Sequence, residues 1–196
     1  MRNYIFVYGS LVNTRSRENN NIFVKTYPVE VRGVKRGWFL PIPEDETTAL
    51  GLIQKNSYSV NGLLFEVFPI DIEVLDKREK IHRYERVKIK YHDVKFINSE
   101  QRIERESVIW TYTTESPQYP TKTTPIAQSY VDVVIQGFSE HGEGFALDFV
   151  NTTDGWDKAW INDRESPRYR RNLSNINYST IDTVLHNVIK YRLEFQ

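Results

Sequence analysis

Two short stretches of the chain carry residue types and spacings that could do chemistry: Gly9-Ser10-Leu11 and the segment around Glu79. The first follows the apolar run from Tyr4 to Tyr8. A glycine at a strand end lets the backbone turn sharply, so successive amide N–H groups converge on one concavity that suits a carboxylate or a phosphate. An ordinary turn uses the same residues, and that reading stays open beside the first. The chain contains neither G-x-x-x-x-G-K-[ST] nor G-x-G-x-x-G, so the loop matches no nucleotide motif. Ser10 lies outside any G-x-S-x-G context and has no partner motif for a nucleophile.

Glu79 follows Ile72 and Leu75 at i, i+3, i+7 spacing, near the end of a helix predicted over 70–80. A carboxylate on an apolar face is either a rim residue or a functional one, because glutamate is seldom buried without a partner. The negative end of the helix dipole pushes its pKa up, and Lys77, Arg78 and Lys80 oppose that push. Asp76 has Lys80 at i+4 for a surface pair. Tyr130, on a later predicted helix, is either core or a hydroxyl aimed into a pocket. The four histidines, His82, His92, His141 and His186, show no metal-ligand spacing. Arg164 to Arg171 mixes basic and acidic residues and reads as a solvated loop or an intramolecular ion-pair cluster. Trp156 and Trp160 read as core or as a wedge between elements.

The elements that position these groups follow from periodicity. Tyr4–Tyr8 predicts a short buried strand, residues 13–21 an exposed polar loop, and Ile22–Val34 strand character interrupted at Pro28. Leu50–Gln54 and Tyr58–Phe68 predict two further strands, with Gly62 a bulge or a close approach. Strands are also expected over Tyr84–Tyr91 and Ser107–Thr113. Thr124-Pro125 has the composition of a helix start, and an apolar stripe through Tyr130, Val131, Val134, Ile135 and Phe138 continues toward Gly142. Short helices are expected over Phe145–Asn151 and Trp156–Trp160. A last one, capped by Ser179, carries Ile181, Val184, Leu185, Val188, Ile189 and Leu193. Strands first and helices last predict an α+β fold: a mixed small β-barrel flanked by helices, with a helical C-terminal extension.

Composition bounds the function. The chain has 196 residues, which favours a single domain over 1–196, with a core fold over 1–140 and the extension over 141–196. Its 26 Lys and Arg balance 26 Asp and Glu, which argues against a nucleic-acid or membrane-surface partner. No cysteine is present, so thiol catalysis, disulfide scaffolds and Cys-containing zinc sites are excluded. No apolar run approaches the roughly 18 residues of a membrane span, and no signal peptide is recognisable, so a cytoplasmic location is expected.

Taken together, the segments resemble the γ-glutamylcyclotransferase-like family. Tyr4-Ile5-Phe6-Val7-Tyr8-Gly9-Ser10-Leu11 resembles its opening strand and Y-G-[ST]-L loop. Val31-Arg32-Gly33-Val34-Lys35-Arg36 is similar to its second strand region, and Val60-Asn61-Gly62-Leu63-Leu64-Phe65-Glu66-Val67 to a V-x-G-x-[LV]-[FY]-x-[LV] strand. Leu75-Asp76-Lys77-Arg78-Glu79, followed by Tyr84-Glu85-Arg86-Val87, resembles its L-D-x-x-E…Y-x-R-V block. Ser129-Tyr130-Val131-Asp132 is similar to a tyrosine-containing helix that lines the pocket in several members.

The resemblance implies an enzyme that cyclises a γ-glutamyl amine or γ-glutamyl amino acid to 5-oxoproline and releases the amine, without cofactor or metal. Glu79 matches the essential glutamate, a general base and then acid. Tyr8, Gly9, Ser10 and Leu11 match the loop that holds the glutamyl end, and Tyr130 matches a pocket residue by helix context. The expected partner is a small-molecule γ-glutamyl substrate; the oligomeric state is left open. Two positions depart from the family pattern: Lys80 stands where a glycine often follows the glutamate, and the loop lacks the Asn of a Y-G-S-N-L variant. The other reading of the same residues is a non-catalytic binding module for an acidic small molecule.

Overall fold

In the computed structural model, residues 1–98, 100–170 and 174–193 are described, with side chains described through His186 in the last helix. The first strand, β1 (Asn3–Val7), is buried on both faces: Tyr4 and Phe6 enter one apolar cluster, Ile5 and Val7 another, as the two-residue repeat of a strand dictates. Two long strands follow, β2 (Thr26–Ile42) and β3 (Thr47–Val67), paired antiparallel along nearly their whole length. The two strands expected over 50–68 are therefore one.

Pro28 does not break β2. It sits opposite Leu63 of β3, and its carbonyl accepts from the Ile97 amide at 3.0 Å, beside the short edge strand β5 (Val94–Phe96). The irregularities of β2 fall between Arg32 and Val34 and between Trp38 and Leu40. The first contains Gly33 at φ 90°, a conformation that favours glycine at a bulge.

β4 (Glu85–Ile89) and β6 (Val108–Thr113) complete the main sheet in the order β4-β6-β1-β3-β2-β5, and β8 (Thr153–Asp154) joins β2. Among the described residues, only β1–β6 and β2–β8 are parallel in this sheet. Ile89 and Phe96, from its two opposite ends, pack in the same cluster with Tyr4, Phe6, Val31 and Leu64. The sheet thus curls into a half-barrel around that cluster.

Its other face is covered by helices. α2 (Pro69–Ile81) leaves β3 directly, with Pro69 in the first turn and the Phe68 amide held by the Asp71 carboxylate at 3.1 Å. α3 (Gln128–Ser139) and α4 (Glu143–Asn151) pack Tyr130, Val134, Phe138, Phe145 and Phe149 against Trp38, Leu50 and Leu63. α5 (Tyr178–Leu193) adds Ile181, Val184 and Leu185, and Arg164 ties it to α3 by pairing with both buried Asp132 and Asp182. The fold is α+β, with five α-helices among the described residues.

Three local expectations are corrected. Residues 13–21 are not a loop: α1 (Thr14–Asn19) forms there, because the Asn13 side chain caps the Ser16 amide at 3.1 Å and Arg17 folds back onto the Leu11 and Val12 carbonyls. The helix expected from Pro125 starts three residues later, because β7 (Ile126–Ala127) pairs in parallel with β9 (Trp160–Ile161). That ladder also removes the helix expected over Trp156–Trp160. Trp156 is a core wedge, edge-on to Trp38 at 5.1 Å with its indole N–H on the Val150 carbonyl at 2.9 Å.

The cap of α5 is Asn177, which accepts from the Thr180 amide at 3.2 Å, in place of Ser179. Val188, Ile189 and Leu193 have side chains outside the described set, as does the whole of Arg171. No helix among the described residues is long and apolar enough to cross a membrane.

Candidate active site

The curl of the sheet leaves a cavity of about 190 Å³ between the end of β1, the C-terminal half of α2, the start of β3 and the first turn of α3. Tyr8, Gly9, Ser10, Leu11, Glu79 and Tyr130 all line it. Residues far apart in sequence are brought together because β1 pairs with β3, β3 runs straight into α2, and α3 packs behind the β1 turn.

After Val7 the chain closes a tight 3₁₀ turn over Ser10–Val12, with the Gly9 carbonyl accepting from the Val12 amide at 2.9 Å. The Tyr130 phenol oxygen lies near the donor groups of Leu50 and Ser10, which favour its ionised form. A Cβ on Gly9 would lie 3.0 Å from that oxygen, so glycine lets the phenol approach the loop. Burial, and then the neighbouring Tyr169, push the Tyr130 phenol well up, against the pull of those donors. The hydroxyl is therefore a hydrogen-bonding group at neutral pH and not an anion.

Glu79 projects from the last turn of α2, and its side chain is only 16 % exposed. Its carboxyl is raised above the usual glutamate value, as expected, but burial is the cause. Arg78, at 3.3 Å, and His82 pull it down and do not reverse the direction. Asp76 does not form the expected pair with Lys80. It takes a hydrogen bond from the Tyr112 hydroxyl at 2.8 Å and an ion pair from Arg86 at 3.4 Å, which fixes α2 against β6 and β4.

Sequence reasoning missed several lining residues: Asp45 in the turn before β3, Thr47 at the start of β3, His82, Tyr112 and Tyr169. Tyr84, beside the cavity, is 3 % exposed, and its hydroxyl has no hydrogen-bond partner among the described residues. It lies over Gly51, where a Cβ would sit 1.7 Å from the oxygen. Burial and the neighbouring Glu79 and Tyr130 push that phenol up. Tyr84→Phe is expected to raise stability by about 1 kcal/mol, the low end of what an unsatisfied buried hydroxyl costs. Urea denaturation checks this, and a loss of stability instead would mean that the hydroxyl has a partner in solution.

Among the described residues no group of three or more His, Asp and Glu is placed to hold a metal ion. The basic segment after β9 is used internally: Arg164 pairs with Asp132 and Asp182, and Arg168 with Glu46.

Comparison with known proteins gives the same arrangement a context. No curated protein matches the chain. Among solved structures, a γ-glutamyl cyclotransferase aligns at TM-score 0.56 and 12% identity, over 95% of this chain and 99% of that one. The Homo sapiens protein loc79017 aligns at TM-score 0.55 and 13% identity, over 92% and 96% of the two chains. YkqA from Bacillus subtilis aligns at 0.54 and 15%, over 76% of this chain and 53% of that one. At these identities the likeness is one of fold. The profile of the "Gamma-glutamyl cyclotransferase, AIG2-like" family matches residues 5–131, which include the end of β1, the turn after it, Glu79 and Tyr130. The chain belongs to that γ-glutamyl cyclotransferase, AIG2-like family.

Proposed function

We propose that the protein is a γ-glutamyl cyclotransferase that converts a γ-glutamyl amine or γ-glutamyl amino acid to 5-oxoproline and the free amine. The observation that carries this reading is that Glu79, with its carboxyl raised by burial, shares one small cavity with the Tyr8–Leu11 turn. In the reaction the substrate's own α-amine attacks its γ-carbonyl carbon, so nucleophile and electrophile are already joined and need only be held in a reactive geometry. A C–N bond closes the five-membered ring, and the original γ-amide C–N bond breaks. Glu79 takes one proton from the attacking amine and returns it to the departing nitrogen, so the carboxylate is regenerated.

The turn at Tyr8–Leu11 receives the glutamyl end, its backbone N–H groups facing the α-carboxylate. Tyr130 backs the turn, its phenol beside Gly9. A cavity of about 190 Å³ suits a glutamyl group, with the leaving amine directed toward the mouth. The family assignment supports the reaction type, and Glu79 and the turn are assigned their roles by position.

The test is direct. The purified protein is incubated with γ-glutamyl dipeptides and γ-glutamyl amines, and 5-oxoproline is followed by chromatography. Release from at least one class is expected. Thermal stabilisation by these compounds with no product from any of them would overturn the catalytic reading in favour of a binding module.

A further inference from the structure

The segment that follows β9 is joined to the candidate site by a buried carboxylate. Asp163 is 8 % exposed, and its two oxygens accept from the Ser129 amide at 2.7 Å, the Ser129 hydroxyl at 2.6 Å and the Arg168 amide at 2.8 Å. The Ser129 hydroxyl in turn accepts from the Tyr169 amide at 3.1 Å. Ser129 immediately precedes Tyr130 in the first turn of α3, so one clamp fixes both the helix start and the backbone of Tyr169. The Tyr169 ring then lies edge-on to Tyr130 with centroids 4.9 Å apart at 77°, and it forms part of the cavity wall. The neighbouring Arg168 reaches the Glu46 carbonyl at 2.5 Å and its carboxylate at 3.6 Å, next to the wall residues Asp45 and Thr47.

From this geometry we infer that Tyr169 is a positioning and specificity residue of the site, placed by the Asp163–Ser129 clamp. It holds the Tyr130 ring against the Gly9–Ser10 turn and limits the group that leaves through the mouth. The inference rests on the cyclotransferase reading for the identity of the ligand. It assigns a role to a part of the chain outside residues 5–131, where the family profile ends.

Kinetics of wild type, Tyr169→Phe, Tyr169→Ala and Asp163→Asn on a panel of γ-glutamyl dipeptides and amines test it, with hydrogen exchange followed across the first turn of α3. Tyr169→Phe keeps the ring and is expected to shift KM less than Tyr169→Ala does. Tyr169→Ala is expected to raise KM about tenfold, the upper end of what one edge-on aromatic contact contributes. It should also flatten the preference among leaving groups, a pattern that lost stability alone would not produce. Asp163→Asn is expected to speed exchange at residues 129–131 and to shift KM in the same direction. Wild-type KM and substrate preference in Tyr169→Ala would overturn the inference and leave the cyclotransferase reading intact. If wild type turns over no member of the panel, that reading fails, and the wall is judged by calorimetry with L-glutamate. Weaker binding to Tyr169→Ala than to wild type then supports it, and equal binding, or none to wild type, overturns it.

Discussion

Glu79→Gln is expected to lower kcat/KM on γ-glutamyl substrates by ~10²–10⁴, the usual contribution of one positioned proton-transfer group. The amide keeps the size and most of the hydrogen-bonding reach of the acid but cannot accept the amine's proton. The same substitution is expected to leave the fold intact and to raise Tm slightly at neutral pH. Burial holds the Glu79 carboxyl above the ordinary value of 4.5, so the folded protein binds that proton more tightly than the unfolded chain does. Between 4.5 and the raised value the folded state carries more protons, so stability falls as pH rises through that window. Above it the full penalty of a buried anion remains, and glutamine removes it.

Activity has the opposite dependence, because only the ionised form can act as base. The acid limb of kcat/KM should therefore lie above the usual glutamate range. Steady-state kinetics against pH, together with thermal melts of both proteins at several pH values, check the two signs. A Glu79→Gln protein with wild-type turnover would remove Glu79 from the mechanism, whatever its melting behaviour.

The parts of this arrangement that could be read from the sequence are those that local chemistry specifies. Ile72, Leu75 and Glu79 repeat at helical spacing, and the helix they predict forms over Pro69–Ile81. Gly9 ends an apolar strand, and the turn there is real. The errors have physical causes. α1 is a short polar helix held by the Asn13 cap and by the Arg17 guanidinium on loop carbonyls, contacts that leave no apolar period to detect. Thr124-Pro125 carries a helix-start composition, yet the Pro125 carbonyl is taken by the Thr48 amide at 3.0 Å and the next two residues pair with β9. A tertiary partner there overrides a local preference.

Four of the missed wall residues, Asp45, Thr47, His82 and Tyr169, lie at an element end or in a connection, where neither period 2 nor period 3.6 operates; Tyr112 lies within β6, where alternation gives its face but not the cavity it meets. Tyr169 lines the cavity in a segment whose Asp163, six residues earlier, is bonded to Ser129 on α3. Such a link between segments thirty-four residues apart leaves no local pattern.

Gly62 joins the fold to the site, and Gly62→Ala is expected to cost about 3 kcal/mol of stability, the upper end for overpacking in a core. A Cβ at this position would lie 2.4 Å from the Val7 carbonyl oxygen and 2.7 and 2.8 Å from two Phe6 ring carbons. Neither neighbour can yield easily. Val7 is paired with Leu63 in the β1–β3 ladder, and Phe6 is buried in the half-barrel cluster. The remaining escape is to push the end of β1 away from β3, and that end delivers Tyr8, Gly9, Ser10 and Leu11 to the cavity. The substitution should therefore reduce kcat/KM as well as stability, even in molecules that remain folded. Gly144→Ala supplies the contrast. Gly144 is the second residue of α4, and a Cβ there meets nothing within 4 Å. Alanine restricts the unfolded chain at that position, so a gain of about 0.4–1 kcal/mol is expected with unchanged kinetics. Urea denaturation and steady-state kinetics on the two variants measure all four quantities. Wild-type stability and turnover in Gly62→Ala would show that β1 can move without disturbing the turn, and would detach the site from the close strand contact that positions it here.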